Sequence, residues 1–97
     1  MDRLQRVVFS FYREDAQMEA VLEPLRRCRM RRSWGSIRVE CADAAHLELV
    51  SGLLGHLRLP LAALGLGRQI VLQVPGGRQR SYPMYVPFHS DQLDQLA

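Results

Sequence analysis

Two cysteines, three histidines and a dense run of arginines are the side chains here with chemistry to offer. Cys28 and Cys41 follow no zinc or redox spacing, and no histidine stands at ligand spacing from another histidine or a cysteine. His46 opens a predicted helix, His56 lies on its flank and His89 falls in the tail. His89-Ser90-Asp91 contains triad residue types, but consecutive residues do not converge into a triad. Gly65-Leu66-Gly67-Arg68 resembles a phosphate loop only on paper. A phosphate cradle has a strand before its glycines and a helix after them, and here the order is reversed. These readings lead to a non-enzymatic chain with no cofactor and no metal.

The arginines are the stronger signal. All thirteen basic residues are arginine, and the net charge of +3 permits an anionic partner without demanding one. Arg26, Arg27, Arg29, Arg31 and Arg32 form the densest cluster, placed at the end of a predicted helix. Cations there are stabilised by the negative end of the helix dipole, so a solvated helix end competes with an anion-binding patch. On a helical wheel the five spread around the circumference, which favours the solvated end. Trp34 follows at once in a turn, either exposed as an anchor or folded over the core. Arg78 and Arg80 mark a second turn.

The elements that position these residues are read from periodicity. Val7–Tyr12 alternates and predicts a half-buried strand. Asp15 caps a helix carrying Met18, Val21, Leu22, Leu25 and Cys28 on one stripe, kinked at Pro24. Arg31–Gly35 reads as a turn, and Ser36–Cys41 as a strand with Ile37, Val39 and Cys41 inward. Both cysteines then read as small buried hydrophobes. Asp43 caps a second helix that buries Leu47, Val50, Leu53, Leu54 and Leu57. Pro60 suits the start of a further short turn over Leu61–Leu64, with Gly65 at its left-handed end. Ile70, Leu72 and Val74 predict a third strand, Pro75-Gly76-Gly77 a turn, and Tyr82, Met84 and Val86 a fourth. Pro83 and Pro87 place that last strand at an edge, and Ser90–Leu93 could open a terminal helix.

The expected fold is α+β: a two-layer sandwich of a mixed four-stranded sheet in the order βαβαββ, with two main helices on one face. In layers it resembles the split βαβ or ferredoxin-like sandwiches, although its element order is not their standard repeat. Strands one and two should run parallel across a helix, and strands three and four should form a hairpin.

At 97 residues, 47% hydrophobic and 24% charged, the chain is expected to be one domain over 1–97 with an ordinary core. With no signal-peptide pattern and no apolar run long enough to span a bilayer, a soluble cytoplasmic protein is expected. The outward sheet face should display Val8, Tyr12, Arg38, Glu40, Val71, Gln73 and Tyr85. The expected contact surface is Tyr12, Arg29, Arg31, Arg32, Trp34, Arg38, Arg78, Arg80 and Tyr85, meeting a protein partner or a second copy. RNA or another anion, held by the arginine-rich helix end and the hairpin tip, is the competing reading.

Overall fold

The computed structural model describes residues 1–85. Val86, the end of the expected fourth strand, and the expected helix from Ser90 lie outside them, as does His89. The fold is α+β, with helices packed on a mixed four-stranded sheet. The sheet order is β1 (Arg29–Ser33), β2 (Ser36–Glu40), β3 (Gln69–Gln73) and β4 (Gln79–Pro83). β1 and β2 form an antiparallel hairpin, β2 and β3 run parallel, and β3 and β4 form a second antiparallel hairpin. β4 is an edge strand that ends at Pro83, as a residue without an amide donor requires.

The first expected strand is instead helix α1 (Arg3–Phe11). Val7, Phe9 and Phe11 do alternate, yet Leu4 and Val8 fall one turn apart and both are buried. The start is fixed by a capping box: the Asp2 carboxylate accepts from the Gln5 amide, and Gln5 Oε1 accepts from the Asp2 amide. This pair also stitches α1 to the sheet. Asp2 Oδ2 accepts from the Met30 amide at 2.7 Å, and Gln5 Nε2 donates to the Leu25 and Cys28 carbonyls. The outer edge of β1 is thereby closed over part of its length, which limits edge-to-edge pairing.

The expected kinked helix is two short pieces. Helix α2 spans Met18–Val21, and a 3-10 segment spans Glu23–Arg27 with Pro24 in its first turn. Pro24 lacks the amide that would continue α2, so the chain tightens into a new turn there. Leu22, Leu25 and Cys28 stay on the buried stripe, whereas Val21 is exposed.

The crossover from β2 to β3 carries helices α3 (Ala44–Ser51) and α4 (Leu54–Ala63). Asp43 caps α3 as expected, accepting from the His46 amide at 2.8 Å. The break falls at Gly52–Leu53, and Pro60 sits inside α4 instead of opening a separate turn. A proline there leaves the carbonyl four residues earlier, that of His56, without its helical donor. Tyr12 supplies one: its hydroxyl donates to the His56 carbonyl at 2.7 Å. Gly65 then ends the helical run with φ 64°.

One core joins these layers. Ile37, Val39, Ile70 and Leu72 project from one sheet face onto Leu4, Val8, Leu22, Leu25, Leu47, Val50, Leu57 and Leu61. Among the described residues, no buried side-chain nitrogen or oxygen lacks a hydrogen-bond partner.

Candidate functional site

The expected helix end at Arg29–Arg32 is strand β1, and this changes what its arginines can do. On a strand, successive side chains alternate between faces. Arg29 and Arg31 therefore share the face away from the core, while Arg32 points to the core side at the sheet rim, in register with Ile37. Arg31 stands directly opposite Arg38, in a row that continues through Val71 to Ser81. The next row runs Arg29, Glu40, Gln73 and Gln79. Like charges directly opposed across a ladder are destabilising. No salt bridge of the described residues relieves Arg29, Arg31 or Arg38. Arg38 is steadied by one neutral partner, donating from its guanidinium to Gln73 Oε1 at 3.1 Å. These arginines, Glu40 and Gln73 line a groove of ≈ 600 Å³ that reaches over the β1 edge to Asp2 and Gln5.

Trp34 closes one end of this face. The hairpin joining β1 to β2 has only two loop residues, Trp34 and Gly35, with φ of 51° and 81°. Two positive φ values are the requirement of a type I′ turn, whose first position favours Asn, Asp or Gly. Tryptophan pays a steric penalty there, since a left-handed backbone crowds its Cβ. Its indole is fully exposed (101%), so no burial offsets that penalty. The turn is nonetheless firmly held. The Arg68 amide donates to the Gly35 carbonyl at 2.7 Å, and Gln69 Nε2 donates to Ser36 Oγ at 2.9 Å. A Cβ at Gly67 would lie 3.0 Å from the Gly35 carbonyl oxygen, so only glycine allows this approach without a shift. Trp34, Ser36, Gln69, Ser81 and Pro83 border a shallow depression of ≈ 430 Å³ at this end.

The other expected contact residues lie elsewhere. Val8 is buried in α1. Tyr12 is half-buried on the helical side, committed to the His56 carbonyl, and burial pushes its hydroxyl pKa up. Tyr85 is exposed but leans on α4, donating to the Ala62 carbonyl at 3.3 Å. Arg80 pairs with Glu48 of α3 on the helical side, and Arg78 borders the same recess beside Ala44 and Leu47. Val71 does lie on the outer face, yet it is buried. The surface built by the fold is therefore Arg29, Arg31, Arg38 and Trp34, with Glu40 opposite Arg29 and Arg32 at the rim.

A second constellation escapes sequence spacing altogether. Cys28, Cys41 and His46 are all buried, and their sulfur and nitrogen atoms lie within 4.8 Å of one another. The register explains the meeting. Arg29 faces Glu40, so the next pair outward on the same hairpin is Cys28 and Cys41. His46 arrives from the first turn of α3, with Cys28 Sγ 3.9 Å from its Nε2. Predicting this needed the β1–β2 pairing, which the reading of Arg31–Gly35 as a turn had hidden.

The donor set invites a metal, but the histidine is oriented against one. His46 Nδ1 accepts from the Ala42 amide at 2.8 Å, so the ring proton sits on Nε2 and points to the Pro24 carbonyl 2.7 Å away. A metal-bound imidazole donates from its second nitrogen to an acceptor, and here that nitrogen faces a donor. Neither ring nitrogen can bind a metal without breaking a buried hydrogen bond. The two thiols remain in contact. The neighbouring Cys41 sulfur and burial push the Cys28 thiol far up, and the neighbouring Cys28 sulfur draws Cys41 down, while the Cys28 thiol faces the Pro24 carbonyl and the Cys41 thiol that of Val39. Compared with protein-family models, with curated proteins and with solved structures, the chain matches none.

Proposed function

We propose that this chain is a non-catalytic interaction module whose arginine-bearing sheet face docks an acidic protein segment, with Trp34 as the anchor. The observation that carries this reading is Trp34 itself: a fully exposed indole on a left-handed backbone, held by hydrogen bonds to the start of β3. Isolated, the chain gains nothing from that arrangement; a partner that buries the indole would make it pay. Arg29, Arg31 and Arg38 support an anionic partner, because a carboxylate between Arg31 and Arg38 would relieve their repulsion. Self-docking of two such faces is disfavoured, since each carries Arg29, Arg31 and Arg38 against the single carboxylate of Glu40, and two like-charged faces repel. Single-stranded RNA is disfavoured as well. Its bases need stacking platforms, and the outer rows offer Ser, Gln, Val and Arg in place of aromatics. Two buried thiols favour a reducing compartment, which we take to be the cytoplasm.

Trp34 is the chain's one tryptophan, so its fluorescence reports on this site alone. Titration with a short poly-glutamate peptide at low salt is expected to shift the emission to the blue. The affinity should fall as salt rises, and Arg31→Gln and Arg38→Gln should weaken it and flatten the salt dependence. In any complex so formed, Trp34→Ala is expected to cost roughly 30-fold in affinity, an anchor's usual share. An unshifted emission with poly-glutamate, or a shift produced by oligouridine RNA instead, overturns the reading. So does a concentration-dependent dimer in light scattering that Trp34→Ala abolishes.

A further inference from the structure

We propose that Cys28 and Cys41 form an oxidation site, a buried dithiol that a peroxide converts to an intramolecular disulfide across the β1–β2 hairpin. The backbone places the two residues for it. The Met30 amide and the Cys28 carbonyl both turn away from β2, toward Asp2 and Gln5. The Cys41 amide turns toward β3, donating to the Gln73 carbonyl at 2.7 Å. Cys28 and Cys41 therefore face each other at a position without hydrogen bonds between them, one step beyond the Arg29–Glu40 pair. Such positions hold opposed Cα atoms about 4.5 Å apart, at the near end of the roughly 4.4–6.8 Å that a disulfide spans. The sulfurs already lie within 4.8 Å of each other.

The chemistry balances with a peroxide as oxidant. Cys41, as thiolate, attacks one peroxide oxygen; the O–O bond breaks, hydroxide leaves and takes up a proton as water. The resulting sulfenic acid is attacked at sulfur by Cys28. The S–S bond forms, the S–O bond breaks, and the departing hydroxide takes the Cys28 proton as a second water. Two thiols lose two electrons and one peroxide is reduced to two waters. Burial of both sulfurs, 3% and 2% exposed, admits a small oxidant ahead of a bulky disulfide such as oxidised glutathione. His46 keeps both its backbone hydrogen bonds throughout and takes no part. The crosslink closes the base of the hairpin that bears Arg29, Arg31 and Trp34, and its formation does not depend on that face having a partner.

The test uses the whole native chain. Protein is treated with hydrogen peroxide, then unfolded in the presence of N-ethylmaleimide and weighed intact. The expected product is two hydrogens lighter, carries no maleimide, regains two on prior reduction with dithiothreitol, and yields a peptide pair joining Cys28 to Cys41. Its melting temperature should exceed that of the reduced protein by roughly 10–20 °C, as closing a hairpin loop of this size predicts. Cys28→Ser should leave Cys41 as a sulfenic acid that dimedone traps. The proposal is overturned if the treated wild type still takes two maleimides, if it forms only intermolecular disulfides, or if it runs on to sulfinic acid without a crosslink. It is equally overturned if the purified protein carries one zinc per chain that His46→Ala removes, since the sulfurs would then be ligands.

Discussion

The two hairpins on either side of the parallel β2–β3 junction are built by opposite means. The β3–β4 hairpin obeys its local rules. Its tip is Pro75-Gly76-Gly77 with the positive φ on Gly76, and Arg80 in β4 is paired with Glu48 on the helical side. The β1–β2 hairpin breaks them. Its tip puts a tryptophan in the left-handed region, and its strands set Arg31 against Arg38 without a carboxylate partner. Its ties to the rest of the fold are buried or part-buried, through the Gln5 side chain, Asp2 and the Arg68 amide, whereas β4 is tied across the layers by exposed contacts, Arg80 to Glu48 and Arg58 to the Pro83 carbonyl. Local cost carried on rigid support is what a binding surface needs, since a preordered site loses less entropy on docking. The hairpin that satisfies itself has nothing left to offer.

The largest expected effect tests that support. Gln5 is buried, and its amide holds the Leu25 and Cys28 carbonyls at the point where the 3-10 segment enters β1. Gln5→Ala leaves the buried Cys28 carbonyl unpaired, leaves the Leu25 carbonyl only its bond from the Cys28 amide, and removes half of the capping box. A buried polar group without a partner costs about 1–3 kcal/mol, so a total loss of about 3 kcal/mol in urea unfolding is expected. Hydrogen exchange should speed up most at Met30, whose amide donates to Asp2 at the outer edge. A loss below about 1 kcal/mol would mean that the stitch is not what holds the first hairpin.

That stitch also marks where the sequence was hard to read. The α+β class, a mixed sheet, the Asp43 cap, the Gly65 terminus and the inward positions of Ile37, Val39, Ile70 and Leu72 follow from periodicity and stand. The sheet has four strands as expected, but β1 takes the place of the expected Val7–Tyr12 strand, so the order βαβαββ does not hold. α1 departs from the expected strand because Val7, Phe9 and Phe11 alternate in a segment too short for that pattern to exclude a helix, and the capping box of Asp2 and Gln5 fixes the helix start. β1 was hidden for a different reason. Arg29-Met30-Arg31-Arg32-Ser33 buries a single residue, Met30, so an edge strand of arginines carries almost no apolar alternation. Losing β1 scattered Arg29, Arg31 and Arg38, and it left the Cys28–Cys41 meeting invisible. The exposure of Trp34 has no sequence signature at all, because a turn tryptophan can fold either way.

A smaller effect of opposite sign sharpens the contrast at the hairpin tip. Trp34→Asn places at the first turn position a residue that tolerates positive φ, and it gives up no buried contact, since the indole is fully exposed. The fold should gain about 0.5–1 kcal/mol, within the roughly 1–2 kcal/mol that a left-handed backbone costs other residues. The same variant should lose binding to any acidic partner. Stability and binding moving in opposite directions is the mark of a residue retained for contact. A destabilised Trp34→Asn would show instead that the indole serves the fold.

The smallest effect is expected in the second hairpin. Arg80 and Glu48 form its cross-layer ion pair, and the neighbouring carboxylate holds the Arg80 guanidinium pKa up. Both side chains are open to solvent, Glu48 more than half exposed, so water and salt screen the attraction and ordering two long side chains offsets it. Arg80→Gln and Glu48→Gln should each leave the urea midpoint unchanged within experimental scatter, and the double variant should show no coupling. Stability of the wild type should likewise be indifferent to added salt at this pair. Should either substitution destabilise the fold as much as Gln5→Ala, the second hairpin would also be anchored by a specific contact. Rigidity would then no longer distinguish the arginine face, and the case for it would rest on Trp34 and the unpaired arginines alone.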